Sequence, residues 1–209
     1  VPADIANKSY LYLHTSFPDV SWQYEEMVHE HSLSSKILFT YKCNKPGCGA
    51  FYPAFFLDAG NICRVCKTPS LAMTGPANGI ARKDLSLIYN LWDVCVHTSY
   101  CGGYEYSIIE AIMCGVPTLY TDYSGPEDFK NTANAIPLKV SGFKRETGDV
   151  GGKTGRYWAI VDINDIAQHM AELALMPSQM RQSLGMQTRH KALQNYNWDN
   201  TVDIITRYF

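Results

Sequence analysis

Residues 99–128, SYCGGYEYSIIEAIMCGVPTLYTDYSGPED, decide how the rest of the chain is interpreted. A double glycine, Gly102-Gly103, stands directly before a segment with helical periodicity. Gly115 and Pro117 end that segment, and a second apolar run follows. This order predicts a strand, a glycine turn, a helix and another strand. The start of such a helix offers backbone N–H groups that can bind phosphate.

The predicted helix has one apolar flank and one carboxylate away from it. The flank is formed by Ile108, Ile109, Ile112 and Met113. At about 100° per residue, Glu110 lies well away from the centre of this flank, so it can face the crevice at the strand ends. There the N–H groups of residues 104–106 would point at an anion, and Glu110 would accept hydrogen bonds from a ribose diol. The alternative is an ordinary surface glutamate on a crossover helix.

Apolar runs alternate with helical periodicity along most of the chain, which predicts an α/β fold with parallel strands. The predicted strands cover residues 10–15, 36–41, 93–99, 117–122 and 135–140. The predicted helices cover residues 22–31, 82–92, 104–115, 166–175, 177–196 and 198–209. Residues 144–156, rich in glycine and charge, are predicted to form a surface loop.

Length and composition restrict the class of protein. The chain has 209 residues and a net charge of −2, which suits one large domain or one domain with a small insert. Neither the charge balance nor any apolar run indicates a nucleic-acid partner, an acidic membrane surface or a transmembrane helix. The chain begins with Val1-Pro2 instead of Met and shows no signal peptide, so we expect a fragment of a longer protein.

Four of the seven cysteines form two closely spaced pairs. Cys43 and Cys48 have the spacing C-x4-C, and Cys63 and Cys66 have the spacing C-x2-C. Two such knuckles predict a zinc ribbon over residues 42–73, with a turn at residues 58–60. Four thiolates leave no open position on the metal, so the predicted zinc is structural. One structural metal in a reduced, cytoplasmic protein explains the cysteines better than a disulfide framework does.

The ribbon carries a mild positive charge. Its basic residues are Lys42, Lys45, Arg64 and Lys67. Four charges beside aromatic side chains favour a protein contact or a brace for the loop over nucleic acid. The remaining residues, 1–41 and 74–209, are predicted to form one Rossmann-like domain into which the ribbon is inserted.

The block DLSLIYNLWDVCVHTSYCGGYEYSIIEAIMCGVPTLYTDYSGPED resembles the C-terminal, nucleotide-sugar-binding domain of the GT-B retaining glycosyltransferases, the group-1 or family-4 set. That family shows a helix ending in Tyr, then Asp-Val and a strand, then Glu-Gly-Phe-Gly-x-Pro-x-x-Glu-Ala-x-x-x-Gly-x-Pro. The matching residues here are Tyr89, Asp93, Gly103, Tyr104, Glu110, Ala111, Gly115 and Pro117. The closing YNWDNTVDIITRYF is similar to the Trp-containing helix that commonly ends this domain.

Two features depart from the family pattern. The family has two glutamates eight residues apart, and the position of the first is Gly102 here. Glu105 is the candidate to replace it, although a helix start directs its side chain differently. The family also has an Arg and a Lys near the first strand, where this chain has HTSFPDVSW. The candidates to compensate are His14, Thr15, Ser16, Lys36, Arg82 and Lys83.

The resemblance implies the donor-binding half of an enzyme that transfers a sugar from a nucleotide-sugar with retention of configuration and without a catalytic metal. It implies catalytic roles for Glu110 and Glu105. It implies donor binding by Gly102, Gly103, Tyr104, Ser107, Glu110, His14, Thr15 and Ser16. An N-terminal domain of the parent chain would bind the acceptor, a glycan or lipid, so this fragment alone is expected to be inactive. Two alternatives stay open: a degenerate, non-catalytic GT-B scaffold and a GT-B sugar-nucleotide epimerase.

Overall fold

The computed structural model describes residues 1–19, 22–56, 60–145 and 157–207. The chain divides into two compact units, Pro2–Ile88 and, together with Val1, Tyr89–Phe209. Among the described residues, the first unit has a four-stranded sheet, the second has a three-stranded and a two-stranded sheet, and each unit has its own buried apolar clusters. The predicted turn at residues 58–60 and the predicted loop at residues 144–156 fall largely outside the described residues.

In the described part of the first unit, two helices and four strands precede the last segment. They are α1 (Ala3–Lys8), β1 (Leu11–Leu13), α2 (Tyr24–Glu30), β2 (Ile37–Cys43), β3 (Phe51–Phe55) and β4 (Leu71–Met73). A short 3-10 helix, Arg82–Asp84, leads into α3 (Leu85–Tyr89). The strands predicted at residues 10–15 and 36–41 are therefore confirmed, and α1 is an element that the sequence analysis did not predict.

Strand β2 is the centre of the first sheet. It pairs in parallel with β1, Leu11 lying opposite Ile37, and antiparallel with both β3 and β4. The strand continues without a break to Cys43, the first of the paired cysteines. Strand β2 therefore belongs both to the first sheet and to the predicted ribbon. In the described part of the chain, β3 and β4 of the ribbon each pair with it.

The second unit is built around a parallel sheet. Its elements are β5 (Cys95–His97), α4 (Tyr106–Met113), β6 (Thr118–Thr121), α5 (Phe129–Thr132), β7 (Ile136–Leu138), β8 (Val140–Arg145), β9 (Tyr157–Val161), α6 (Ile163–Leu175), α7 (Ser178–Asn195) and α8 (Trp198–Thr206). Strands β5, β6 and β7 lie side by side in that order, all parallel. The expected α/β class, with a parallel sheet and flanking helices, is confirmed.

Alternation along β6 distributes its side chains between the two faces of the sheet, as the period of two requires. Tyr120 packs in the cluster that holds Ile108 and Ile112 of α4, and Leu119 packs in the other cluster with Leu173 of α6. Both β6 side chains are completely buried. The apolar flank predicted for the helix after the double glycine is confirmed, because its three isoleucines are all buried.

The end of α4 explains why the sequence has glycine there. Gly115 adopts a φ of +76°, a left-handed conformation that glycine tolerates and that commonly ends a helix. Helix α7 crosses at this point, and a Cβ on Gly185 would overlap the carbonyl oxygen of Gly115. The close approach of α4 and α7 therefore depends on the absence of a side chain at residue 185.

The end of the chain differs partly from expectation. The antiparallel pairing of β8 with β9 was not predicted, although Tyr157–Val161 is rich in strand-forming residues. The predicted last helix is present as α8, whose apolar residues are exposed, Trp198 by 80%. Among the described residues no helix combines the length and the apolar character needed to span a membrane.

We predict that Gly185→Ala lowers the free energy of unfolding by about 1–3 kcal/mol, because the new methyl group overlaps a backbone oxygen that cannot rotate away. The better helix propensity of alanine would otherwise favour the variant by about 1 kcal/mol. Gly142→Ala is the matched control, since nothing lies within 4 Å of the added Cβ. Urea denaturation of both variants checks this, and equal stability of the two would contradict the packing described.

Candidate functional site

The first cysteine knuckle grows out of β2. Cys43 ends the strand, and the N–H of Cys48 donates to the carbonyl of Lys45 across the turn (3.1 Å). Gly47 and Gly49, on either side of Cys48, both have positive φ, at +79° and +63°. The turn needs these two conformations to bring the Cys48 thiol back towards Cys43, and glycine adopts them without strain.

The second knuckle is a separate turn. The N–H of Cys63 donates to the carbonyl of Thr68, and the N–H of Lys67 donates back to the carbonyl of Cys63, both at 2.9 Å. Lys67, directly after Cys66, has a φ of +58°, the conformation that glycines adopt in the first knuckle. These bonds fix the Cys63 and Cys66 side chains on one side of the turn.

The four sulfurs of the two knuckles lie together, all within 4.8 Å of one another. The Sγ atoms of Cys43 and Cys66 are 3.6 Å apart, and those of Cys48 and Cys63 are 3.9 Å apart. A tetrahedral zinc with bonds of about 2.3 Å to sulfur requires sulfurs about 3.8 Å apart, whereas a disulfide requires about 2.05 Å. The thiols are free. The cluster therefore fits a metal ion such as zinc, as the spacing predicted.

Hydroxyl groups surround the cluster on one side. Ser70 Oγ lies 3.0 Å from Cys43 Sγ, and Thr68 Oγ1 lies 2.9 Å from Cys66 Sγ. The two hydroxyls are themselves 2.9 Å apart. When the sulfurs are thiolates, such hydroxyls donate to them, the role that groups around a metal's ligands usually have.

The electrostatics of the cluster favour a cation. The Thr68 side chain, with its backbone, lowers the pKa of Cys66 to about 5, and the Cys66 backbone N–H lowers that of Cys63. The Ala50 backbone N–H lowers the pKa of Cys48, but burial and the neighbouring thiols together raise it to about 11. Four sulfurs this close repel one another once ionised, and a divalent cation removes that repulsion.

The glycine loop of the second unit lies at the carboxyl end of β5. The Gly102 carbonyl accepts hydrogen bonds from Ser124 Oγ (3.0 Å) and from the Gly125 N–H (3.1 Å), both on the loop after β6. A Cβ on Gly125 would overlap the Gly103 carbonyl oxygen. The two loops that follow neighbouring parallel strands are therefore in direct backbone contact, at the edge where open α/β sheets bind ligands.

Glu105 precedes α4 in a left-handed conformation, with φ +53° and ψ +71°. A Cβ on Gly102 would overlap Oε1 of Glu105, so the carboxylate covers the glycine. The other carboxylate oxygen, Oε2, lies 3.5 Å from Nε2 of His97, the last residue of β5. Glu105 was predicted to replace the missing carboxylate of residue 102, and its side chain lies over that residue.

Glu110 lies on α4, half-buried, and its Oε2 accepts a hydrogen bond from the Tyr89 hydroxyl at 2.8 Å. Burial, and then Glu110 itself, raise the pKa of Tyr89, so the phenol keeps the proton that it donates. Within the described ranges, Oε1 of Glu110 has no hydrogen-bond partner. The role of Glu110 towards a ribose stays a prediction, and the sequence analysis missed its bond to Tyr89.

The backbone around these side chains was predicted to bind an anion. Of residues 104–106, Tyr104 and Tyr106 have exposed rings 5.3 Å apart, in edge-to-face contact. No N–H of these three residues donates to another backbone group of the described chain outside the helix ladder. Ser107 lies in the first turn of α4, half-buried. The binding of an anion by these residues stays a prediction.

The other predicted donor residues belong to the first unit. His14, Thr15 and Ser16 follow β1, and all three are half-buried. His14 Nδ1 lies 2.9 Å from Thr40 Oγ1, and burial lowers the pKa of the imidazole. Thr15 Oγ1 lies 3.3 Å from the Tyr24 hydroxyl. A role of these residues with a ligand stays a prediction.

The basic residues named as substitutes for the family's Arg and Lys differ in their availability. The Lys36 ammonium donates to the carbonyls of Ala6, Asn7 and Ser9 at 3.0, 2.8 and 3.4 Å, so its three protons are used at the end of α1. Arg82 and Lys83 are exposed in the 3-10 helix before α3.

One further element of the second unit was missed but had a sequence signal. Ser124 and Glu127 form a capping box, in which the Ser124 N–H donates to Glu127 Oε1 at 3.2 Å. The spacing Ser-x-x-Glu is the usual signature of this motif. It fixes the loop that holds the Gly102 carbonyl.

No model of a known protein family matches this chain, and no curated protein sequence matches it. The fold and the two sites therefore define the class of the protein only as an α/β chain with a parallel sheet and a four-cysteine cluster.

We predict that the purified chain contains about one zinc ion, and that Cys63→Ser loses it, because three thiolates and a hydroxyl bind the ion much more weakly. Elemental analysis measures the metal, and thermal unfolding measures the associated loss of stability. Cys101→Ser is the matched control, since Cys101 is exposed and outside the cluster. A metal-free wild-type chain whose melting temperature equals that of Cys63→Ser would refute the site.

Proposed function

We propose that this chain is the donor-binding half of a retaining GT-B glycosyltransferase. The observation that carries the proposal is the backbone contact between the loops after β5 and β6, with Gly102, Gly103 and Gly125 at the contact. It leaves a glycine-lined edge at the carboxyl ends of parallel strands, directly before a helix. A nucleotide-sugar diphosphate is the ligand that such an edge suits.

In this proposal the carboxylates have separate tasks. Glu110, held by Tyr89 through one oxygen, accepts hydrogen bonds from the ribose hydroxyls through the other. Glu105, at the start of the same helix, faces the glycine loop and contacts the donor sugar. Backbone N–H groups of residues 104–106 bind the diphosphate, because the positive end of the helix dipole lies there. These assignments need no catalytic metal.

The metal cluster has a structural task in this proposal. Its four sulfurs would complete the coordination of a zinc ion, so no position remains for a substrate. The ribbon then holds the end of β2 and the two knuckles together. Free thiols and a thiolate metal site are typical of a reducing compartment, and we place the protein in the cytoplasm on this ground.

A non-catalytic scaffold is the second candidate, and one observation favours it. The Lys36 ammonium, a basic group near the predicted first strand, donates to three carbonyls at the end of α1, those of Ala6, Asn7 and Ser9. Lys36 would then offer no free N–H group to a diphosphate. A scaffold of this kind would keep the fold and the zinc ribbon but bind no nucleotide.

We predict that Glu110→Gln weakens the binding of a nucleoside diphosphate by about ten- to a hundred-fold, because it removes a charge-assisted hydrogen bond worth roughly 1.5–3 kcal/mol. The amide oxygen still accepts from Tyr89, so the melting temperature should change little. Calorimetry with UDP and GDP measures the affinity. Tyr89→Phe is the control, as it removes the internal bond and leaves the carboxylate in place. Equal affinities of wild type and Glu110→Gln would exclude the ribose role.

We predict that the 209 residues bind a nucleotide-sugar but transfer no sugar, because displacement at the anomeric carbon needs donor and acceptor held within about 3–3.5 Å. The acceptor is proposed to bind to a further domain. Labelled nucleotide-sugars with a mixed pool of glycan and lipid acceptors test this. Acceptor-dependent transfer by these residues alone would overturn the half-enzyme proposal, and absence of nucleotide binding would favour the scaffold.

A further inference from the structure

The backbone of Glu105 is in a conformation that glutamate rarely adopts. Its φ of +53° lies in the left-handed region, where Gly is favoured and Asn or Asp is tolerated. Its side chain makes no capping hydrogen bond to α4, so helix capping does not explain the strain. Strained residues of this kind cluster at functional sites, where the surrounding structure keeps them in place.

The direction of the Glu105 side chain depends on a second residue. The carboxylate group occupies the volume in which a side chain at residue 102 would begin, with Oε1, Cδ and Cγ all close to the Cβ position. Glycine at 102 and left-handed glutamate at 105 are therefore complementary. The carboxylate reaches the start of the loop from three residues further along the chain.

His97 faces this carboxylate from the end of β5. The two side chains are each 21% exposed, and Nε2 of His97 lies 3.5 Å from Oε2 of Glu105. The other ring nitrogen, Nδ1, is buried and has no hydrogen-bond partner among the described residues. A proton is therefore better placed on Nε2, which faces the Glu105 carboxylate, than on the buried Nδ1. We expect a neutral ring with its proton on Nε2.

We propose that His97 is a positioning residue that holds the Glu105 carboxylate over Gly102. The proposal rests on the proposed donor site for its ligand, and on geometry alone for the pairing. Burial lowers the pKa of His97, and the Glu105 carboxylate opposes that shift.

The pairing is tested by NMR of the imidazole nitrogens in the intact chain. Long-range proton–nitrogen correlations should show the neutral Nε2–H form of His97 at pH 7. Glu105→Gln should lower the pKa of His97, since the carboxylate that raises it is gone. Glu172→Gln is the matched control, because that carboxylate lies 3.3 Å from a different histidine, His169. An Nδ1–H form, or a His97 pKa unaffected by Glu105→Gln, would overturn the pairing.

The link to the ligand is tested by calorimetry with UDP-glucose and UDP, and with GDP-mannose and GDP. The ratio of the affinity for the nucleotide-sugar to the affinity for its nucleoside diphosphate should fall about tenfold in Glu105→Gln and in His97→Phe. This is the loss expected for one charge-assisted hydrogen bond. The double variant should fall no further, because the two residues act as a unit. His97→Gln, which keeps a donor, should recover part of the ratio. Additive losses would show that His97 does not act through Glu105.

Gly102→Ala provides a variant that changes neither partner. Its Cβ displaces the end of a flexible side chain instead of backbone, so the fold should survive while the carboxylate moves. The sugar-dependent ratio should fall as in Glu105→Gln, and an unchanged ratio would contradict the proposal. If the wild-type chain binds no nucleotide at all, the proposed function is wrong, and the NMR experiment alone decides the pairing.

Discussion

The second unit depends on one close approach of backbone to backbone. The Gly102 carbonyl accepts hydrogen bonds from the Ser124 hydroxyl and the Gly125 N–H, and Gly125 leaves room for the Gly103 carbonyl because it has no side chain. This contact fixes where α4 begins relative to β5 and β6. The direction of Glu105, the position of Glu110 and the packing of the isoleucine flank all follow from that start. A side chain on Gly125 would have to separate the two loops.

Local residue spacing made part of the fold and of the candidate sites predictable from the sequence. The isoleucine flank repeats with the helical period, and the two knuckles repeat a short cysteine spacing, so both could be recognised from neighbouring residues alone. The parallel strands were predicted for the same reason, since each is a short apolar run between turn residues. The capping box at Ser124 had an equally local signal that was overlooked.

The remaining features depend on residues distant in the sequence or on disfavoured conformations. Tyr89 and Glu110 are 21 positions apart, and no local pattern connects a phenol with a carboxylate at that separation. Glu105 was expected to follow helix-start geometry, but its left-handed backbone turns the side chain back over Gly102. Propensity argues against that conformation for glutamate, so only the folded loop could show it.

Because β2 ends in the cysteine cluster, a change in the cluster affects the first sheet as well as the ribbon. Cys43 is the last residue of the strand that pairs with β1, β3 and β4, so the cluster and the sheet share a hydrogen-bonded backbone. If the cluster binds a metal ion, loss of that ion would remove the link between the two knuckles that supports the end of β2 and its pairing with β4. An apolar strand with free N–H and C=O groups is a template for pairing with another chain. Loss of a bound metal ion would therefore expose the end of β2 to pairing with another chain, beyond its effect on the ribbon.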